Sequence, residues 1–263
     1  MWSSCVAGSS SVRLRSTAAS LLTALALMAG APSAAADPNT LWDIVSGQCV
    51  PDQQTQGRPA PCALVDLAGG YAVLKDIVGA TQFLAIPTAR VAGIESPEIL
   101  AADAPNYFAD AWRARSYVEQ RAGRGLPRDW VSLAVNSSDA RSQNQLHIHI
   151  DCVRADVRQT LAAYAGNIGD TWAPFPVRLA GEPYRAMAAP GDELVVDPFR
   201  LLADSLPEGE SMGAQSLVVV GATDVDGGPG FVLLAGSTDA GSGHGEDLQD
   251  HDACPPPSEA IGK

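Results

Sequence analysis

Several short stretches rich in apolar residues and bounded by turn residues predict β-strands, and one of them, 146–152, alternates cleanly between apolar and polar positions. These stretches are 70–75, 82–87, 130–135, 146–152, 216–222 and 230–235. The first two flank a turn that contains Asp76 and Gly79, and the last two flank the polar turn 223–229. Both pairs therefore predict antiparallel hairpins.

Helical periodicity is strongest in 105–121, where Pro105 and Asn106 mark a start and the aromatic residues fall largely on one side. Shorter helices are predicted at 40–48 and 154–164. We predict loops for 50–62 and for the tail from 236, and the pattern defines no regular element in 165–213. A hairpin, a helix and then further antiparallel strands predict an α+β fold.

The first 36 residues predict an export segment that is not part of the fold. Arg13 and Arg15 precede an apolar run over 17–31, and small residues end at Ala36, an order typical of a cleaved signal peptide. An uncleaved membrane anchor stays open as the alternative, although Pro32 interrupts the run near its end. Both interpretations place the folded part outside the cytoplasm, at the membrane or in the periplasm of a bacterial envelope.

Net charge limits the partners of this chain. The full sequence has a formal net charge of −13. Residues 1–36 carry two arginines and no acid, so the remaining 227 residues hold 15 basic and 30 acidic side chains, a net charge of −15. Such an acidic chain repels the phosphate backbone of nucleic acid, and we expect no nucleic-acid partner.

Four cysteines follow residue 36: Cys49, Cys62, Cys152 and Cys254. An even number in an exported chain predicts two disulfides, and three pairings are possible. The short Pro/Gln-rich loop favours Cys49–Cys62, worth about 3 kcal/mol in the chain-entropy model. Cys152–Cys254 would then tie the tail to the centre of the fold. No C-x-x-C pair is present, so we expect neither a thiolate zinc site nor a redox motif.

The candidate chemistry lies in 143–152, QNQLHIHIDC. Alternate side chains of a strand point to opposite faces. One face is predicted to enter the core, with Leu146, Ile148, Ile150 and Cys152. The other face carries Gln145, His147, His149 and Asp151. Residues two apart on one face lie about 7 Å apart, so the two histidines could bind one phosphate group or one metal ion.

Phosphate chemistry would use the histidines in two ways. A neutral imidazole, whose ordinary pKa is about 6.5, can attack phosphorus and form a phosphohistidine. A protonated neighbouring histidine and polar donors would stabilise the charge on the equatorial oxygens. The candidate donors in or beside the preceding loop are Asn136, Ser142, Asn144 and Gln145. These side chains could hold phosphate without adding charge.

The segment 145–149 resembles the His-x-His-x-His pattern of the histidine-triad (HIT) superfamily, with glutamine in the first position. The resemblance implies that His147 is the nucleophile and that His149 contacts phosphate. It also implies phosphate-binding roles for Asn136 and Ser142. The departure at Gln145 removes the outer histidine and leaves the two central roles in place.

Longer segments resemble the CDP-diacylglycerol pyrophosphatase family. They are GYAVLKD (70–76), QFLAIPTARVAGIESP (82–97), NYFADAWRAR (106–115), SLAVNSSDARSQNQLHIHIDC (132–152) and LQDHDAC (248–254). The resemblance implies hydrolysis of CDP-diacylglycerol to CMP and phosphatidate through a CMP–histidine intermediate. It implies an enzyme that acts at a membrane surface without a cofactor or a metal ion, with a homodimer as one possible assembly.

The same resemblance implies one HIT-like domain over 37–263, an antiparallel sheet with flanking helices. Its core would span about 63–165, and a C-terminal extension containing further β-structure would span 166–263.

Two other interpretations of the histidine pair stay open. His147, His149 and Asp151 also match the start of the zinc motif of metallo-β-lactamase-like enzymes, which needs a further ligand downstream. The candidates are His244 and His251, which we predict to be exposed unless Cys152–Cys254 ties the tail near the site. A non-catalytic binding module of the envelope would have no phosphohydrolase activity.

Overall fold

The structure is a computed structural model that describes residues 37–223, 227–252 and 254. The predicted signal peptide or anchor, residues 1–36, lies outside the described residues. Within the described ranges, no helix has both the length and the apolar character that a bilayer span requires.

Nine antiparallel strands form one sheet in the described part of the chain. In chain order they are β1 (Leu64–Asp66), β2 (Tyr71–Lys75), β3 (Phe83–Pro87), β4 (Val131–Val135), β5 (Ile148–Cys152), β6 (Ala173–Pro174), β7 (Arg185–Pro190), β8 (Gln215–Thr223) and β9 (Pro229–Ser237). Their order in the sheet is β1-β2-β3-β5-β4-β8-β9-β7-β6. Both predicted hairpins are confirmed, β2 with β3 and β8 with β9.

Helices flank this sheet. The α-helices are α1 (Thr40–Ile44), α2 (Val50–Gln56), α3 (Tyr107–Ala122), α4 (Ala155–Ala163) and α5 (Pro198–Ala203). Short 3₁₀ turns lie at Pro97–Leu100, Arg128–Trp130, Ala165–Asn167, Met212–Ala214, Thr238–Ala240 and Gly245–Leu248. The predicted helices at 105–121 and 154–164 correspond to α3 and α4. Helices and an antiparallel sheet in one chain confirm the α+β class.

The predicted loop at 50–62 is wrong in its first half. A π-helical turn, Val45–Cys49, joins α1 to α2, and the helix ends only at Gly57, which has a left-handed φ of 63°. Pro51 stands in the first turn of α2, the position at which a helix tolerates the missing N–H. The proline therefore lies within a continuous helical segment, just after the π-helical turn, and does not end it.

Residues 165–213 supply one edge of the sheet. Strand β7 pairs with β9 from Arg185↔Ala235 to Pro190↔Gly230, and β6 pairs with β7 beyond it. The sequence of β7, RAMAAP, contains no β-branched residue, and strand propensity depends largely on such residues. Its pairing with β9, and not its own composition, makes it a strand.

The two faces of the sheet have different covers. On one face, α3 packs Phe108 and Trp112 against Ile148 and Ile150, which confirms the predicted core face of β5. The other face carries two separate apolar clusters. An N-terminal cluster packs Val45, Cys49 and Cys62 onto Leu84 and Ile86. A C-terminal cluster packs Val157, Leu161 and Leu248 onto Ala134 and Val218.

Beyond the end of β9 the described tail is largely irregular, as its composition predicts, but part of it packs against the sheet. Residues 243–252, which we call the C-terminal strap, run across the strands: Gln249 bridges Val153, and the Asp250 N–H donates to the Cys152 carbonyl at 2.9 Å. A Cβ at Gly245 would lie 2.9 Å from the carbonyl oxygen of Val135, so this approach requires glycine. The strap therefore belongs to the packed structure.

Both favoured disulfides are present. Cys49 and Cys62 close a loop of 13 residues at a Cα–Cα distance of 5.6 Å, and Cys152 and Cys254 close one of 102 residues at 5.4 Å. The second disulfide joins the end of the strap to the end of β5.

Candidate active site

The histidine pair lies between the two apolar clusters. In the register of the sheet, His149 stands opposite Leu84 of the N-terminal cluster on one side and opposite Ala134 of the C-terminal cluster on the other. His147 directly precedes β5, which begins two residues later than the alternation predicts. The two rings are 4.9 Å apart between centroids, and both residues are buried.

His147 is held as a neutral imidazole with one nitrogen directed away from the backbone. Its Nδ1 lies 2.7 Å from the carbonyl oxygen of Gln145. A carbonyl oxygen only accepts, so Nδ1 carries the hydrogen and Nε2 carries the lone pair. Burial, with His149 beside it, lowers the pKa of His147 to about 4. The side chain is therefore a neutral imidazole at neutral pH, with a lone pair on Nε2.

His149 presents the opposite tautomer. Its Nδ1 lies 2.5 Å from the amide nitrogen of Gln82, closer than the Glu246 carboxylate at 3.3 Å or the Asp76 carboxylate at 3.8 Å. The amide donates to Nδ1, so the hydrogen of the neutral ring is on Nε2, which is buried without a partner among the described residues. Burial lowers the pKa of His149 to about 4. An unpartnered buried N–H can donate to a ligand.

A pH test follows from the depressed pKa of His147. The unfolded chain protonates this histidine near its ordinary pKa of about 6.5, whereas the folded chain does so only near 4. The unfolded state thus binds more protons between these values, so the contribution to stability is complete above pH 6.5 and is lost as pH falls toward 4. We expect the urea midpoint to fall less between pH 7 and pH 5 in His147→Gln than in the wild type. An equal fall in both proteins would contradict the burial of a neutral His147.

Asn136 reaches the histidine pair through the fold of the sheet. Ala134 pairs with His149, so Asn136, two residues further along the same face, lies level with His147. Its amide nitrogen donates to Glu246 at 2.9 Å, and its amide oxygen accepts from the Glu246 N–H at 3.2 Å. This predicted phosphate ligand therefore lies beside the pair and is bound to the strap.

The other predicted donors are placed differently. Gln145 is fully buried, and its amide donates to the carbonyls of Pro87 and Ala89 and accepts from the Val91 N–H. It holds the chain after β3, and its polar atoms are occupied. Ser142 and Asn144 are exposed in the loop before the pair.

The sequence pattern missed three groups that contact His149 or flank it. Gln82 and Asp76 lie at the two ends of the β2–β3 turn, and Glu246 comes from the strap. Gln82 and His149 are 67 positions apart in the sequence, so no local pattern relates them. The signal that could have found Glu246 is the predicted Cys152–Cys254 disulfide, which brings the strap to the end of β5.

Asp151 continues the polar face of β5 and is fully buried. Its carboxylate accepts from the Thr81 hydroxyl at 2.8 Å and lies 3.6 Å from Nδ1 of His251. This carboxylate raises the pKa of His251. The tail is thus tied near the site. His251 is half-buried, whereas the sequence predicts exposure unless the disulfide brings the tail to the site.

The geometry does not assemble the zinc set. Among the described residues, the group of metal-ligand types that lie close together is Asp151, Cys152 and Cys254, and the two sulfurs are bonded to each other. Nδ1 of His147 is committed to a backbone carbonyl. The residues that the zinc motif would use therefore do not converge on one point.

Two surface cavities lie away from the histidines. One of about 670 Å³ is lined in part by Asn106 and Arg113, and one of about 590 Å³ in part by Tyr184 and Gln215. Neither is lined by His147 or His149. The histidine pair stays the candidate site on its chemistry, because it combines a neutral imidazole with an unpartnered buried donor.

A buried pair of neutral histidines, one with a free lone pair and one with an unpartnered donor, can act on a phosphate group. The family model of CDP-diacylglycerol pyrophosphatase matches residues 36–255 of the chain. The CDP-diacylglycerol pyrophosphatase of Yersinia pestis is 41% identical over 218 residues, which cover 81% of this chain and 83% of that protein. The chain belongs to the CDP-diacylglycerol pyrophosphatase family.

Proposed function

We propose that this enzyme hydrolyses CDP-diacylglycerol to CMP and phosphatidate through a covalent CMP–His147 intermediate. Membership of the family supports the substrate and the reaction. The observation that carries the mechanism is the hydrogen bond from Nδ1 of His147 to the Gln145 carbonyl, which leaves the Nε2 lone pair free to react.

The reaction has two steps. Nε2 of His147 attacks the phosphorus of the CMP moiety, a P–N bond forms, and the P–O bond to phosphatidate breaks so that phosphatidate leaves with the electron pair. Water then attacks the same phosphorus, the P–N bond breaks, and the electron pair returns to Nε2. The water gives one proton to the solvent, and CMP is released. Two in-line displacements replace one difficult step.

His149 acts on the charge of the transferring phosphate. Its Nε2–H is buried and unpartnered, and it lies in the ring next to the nucleophile. A donor that is already oriented stabilises negative charge on the equatorial oxygens without reorganisation. The first expectation for this role was a protonated histidine, but its pKa of about 4 makes His149 neutral in the free enzyme. A bound phosphate would have to raise that pKa to place a proton on Nδ1 as well.

Asn136 is the second phosphate ligand in our proposal. Its amide lies at the level of His147 and is bound to Glu246, so the strap fixes its orientation. Ser142 and Asn144 belong to the exposed loop that precedes the pair, and we propose that they meet the outer phosphate oxygens. Gln145 positions the nucleophile, because its backbone carbonyl holds His147 and its side chain is engaged elsewhere.

We also propose that the domain has the HIT-like architecture. A nucleophile at the start of a central antiparallel strand, with an amide at the end of the neighbouring strand, supports this assignment. Residues 37–263 would then be one catalytic domain, with a core over about 63–165 and the extension 166–263 completing the sheet. We place this domain outside the cytoplasm, at the membrane that holds its lipid substrate.

Trapping of the intermediate tests the mechanism directly. CDP-diacylglycerol labelled with ³²P in the CMP phosphate is mixed with the enzyme and quenched in alkali, which preserves phosphohistidine. We expect label in the wild-type protein, released by mild acid, and none in His147→Ala. Label that appears only in free CMP, with no labelled protein at any quench time, would contradict a covalent intermediate and favour direct attack by water.

A further inference from the structure

The turn between β2 and β3 presents two adjacent aliphatic side chains to solvent. Four large aliphatic side chains of the described residues are strongly exposed: Leu67, Ile77, Val78 and Val195. Ile77 is 100% exposed and Val78 53% exposed, and they are neighbours in the chain. Single exposed aliphatic side chains are common on protein surfaces, but these two are adjacent and lie together at the tip of one turn.

This turn is held in one conformation. The ammonium group of Lys75 donates to the carbonyls of Asp76 at 2.6 Å and Gly79 at 2.9 Å. The Arg121 guanidinium, from the end of α3, donates to the carbonyl of Ala80 at 3.1 Å. Gly79 has a left-handed φ of 69°, which the turn requires. The two aliphatic side chains are therefore presented by an ordered turn and need little further ordering on binding.

Both ends of the turn contact the histidine site. Asp76 lies 3.8 Å from Nδ1 of His149, and Gln82 lies 2.5 Å from the same atom. Thr81 donates to Asp151, the next residue along that face. Ile77 thus directly follows a residue beside the histidine pair, so a surface that binds Ile77 lies close to that pair.

The charge around the turn is mixed. Lys75 and Arg121 place two cations beside the tip, in a chain whose net charge is −13. Asp76 directs its carboxylate inward to His149. The strap passes close to the turn, because the carbonyl oxygen of His251 would lie 3.2 Å from a Cβ at Gly79. The next residue, Asp252, is exposed. The aliphatic pair must therefore supply most of the binding, and the exposed guanidinium of Arg121 is the nearby cation that can meet lipid phosphates.

We infer that Ile77 and Val78 insert into the lipid surface that carries the substrate, and that this insertion brings the histidine pair to the CDP headgroup. The inference rests on the proposed function, because a diacyl lipid keeps its acyl chains in the bilayer while its pyrophosphate is cleaved at the surface. The partner is a phospholipid bilayer, and the turn acts as an interfacial anchor beside the site.

The kinetic test compares Ile77→Ser/Val78→Ser with the wild type and with Leu67→Ser, which changes an exposed aliphatic residue in another turn. Each protein is expressed as the full chain and then purified. Hydrolysis is followed on CDP-diacylglycerol in vesicles of phosphatidylcholine and phosphatidylglycerol, and on water-soluble CDP-glycerol. We expect the double variant to lose about tenfold or more in kcat/KM on vesicles and to retain its rate on CDP-glycerol. Leu67→Ser should be unchanged on both.

A second measurement reads insertion without reference to activity. Val78→Trp and Leu67→Trp are mixed with vesicles that contain brominated phosphatidylcholine, and each emission is compared with that of the wild type. We expect quenching of the added tryptophan at 78 and none at 67. This measurement stands even where an N-terminal anchor holds every variant on the vesicle, because it reports depth at one position.

The outcomes separate the two proposals. Unchanged vesicle kinetics in the double variant, or no quenching at 78, overturns the anchor. Equal losses on vesicles and on CDP-glycerol also overturn it, since the turn then acts only by supporting His149. If light scattering gives the wild type the mass of a dimer and the double variant the mass of a monomer, the aliphatic pair forms a contact between copies. That result also overturns the anchor. If the tryptophan at position 78 is quenched but the wild type hydrolyses neither substrate, the anchor is supported and the proposed function is contradicted.

Discussion

His147→Ala is expected to lower kcat for CDP-diacylglycerol by at least about 10⁴-fold, the scale of loss when a covalent nucleophile is removed. Nε2 of His147 is the atom that forms and breaks the bond to phosphorus, and alanine supplies no substitute. The release of CMP is measured for the wild type and the variant in the presence of excess EDTA. The substituted side chain is 8% exposed, so the variant is first checked for an unchanged circular dichroism spectrum.

His244→Ala is the matched control, because His244 is an exposed histidine at the start of the strap. It should retain the wild-type rate. Normal turnover by His147→Ala would refute the proposed nucleophile. Loss of wild-type turnover in EDTA that returns with added zinc would favour the metallohydrolase instead, and no release of CMP by any form would favour a binding module.

Removal of the Cys152–Cys254 disulfide, as Cys152→Ala/Cys254→Ala, is expected to destabilise the fold by about 4–5 kcal/mol, the loop-closure value for about 100 residues. The loop that this disulfide closes has 102 residues. The substitution also releases the strap, whose Glu246 holds Asn136 and whose Gln249 amide donates to the His149 carbonyl at 3.1 Å. We therefore expect loss of activity at urea concentrations where the variant is still folded.

Cys49→Ala/Cys62→Ala is the comparison that isolates the strap. Its loop of 13 residues predicts a smaller loss, about 3 kcal/mol, and it lies in the N-terminal cluster away from Glu246. Unfolding is followed in urea and activity is assayed in parallel. If both variants lose the same fraction of activity for the same loss in free energy of unfolding, the strap has no particular role in the site.

The sequence predicts the histidine strand well because its pattern is local. Alternation from Leu146 to Cys152 requires only that one face be buried, and α3 covers that face. The hairpins follow for the same reason. β7 and α2 could not be predicted in this way. β7 is formed by its partner β9, and the Pro/Gln-rich composition of 50–62 predicts a loop although Pro51 stands in the first turn of α2.

The residues of the candidate site also divide into those that a local pattern predicts and those that it does not. His147 and His149 are given by one strand, whereas Gln82 and Glu246 reach His149 from segments 67 and 97 positions away in sequence. Gln145 shows the limit of reading a face from alternation alone. It occupies the right position for a phosphate donor, yet its amide is consumed by the backbone after β3. Such contacts are set by tertiary packing, which a single sequence does not encode locally.

The strap couples the candidate site to the oxidation of two thiols. Its attachment through Cys152 and Cys254 forms where thiols are oxidised, and reducing conditions keep both thiols free. In the reduced chain, Asn136 and Glu246 would be held less firmly beside the histidine pair. Oxidation of these two cysteines would then act as a maturation step that completes the site.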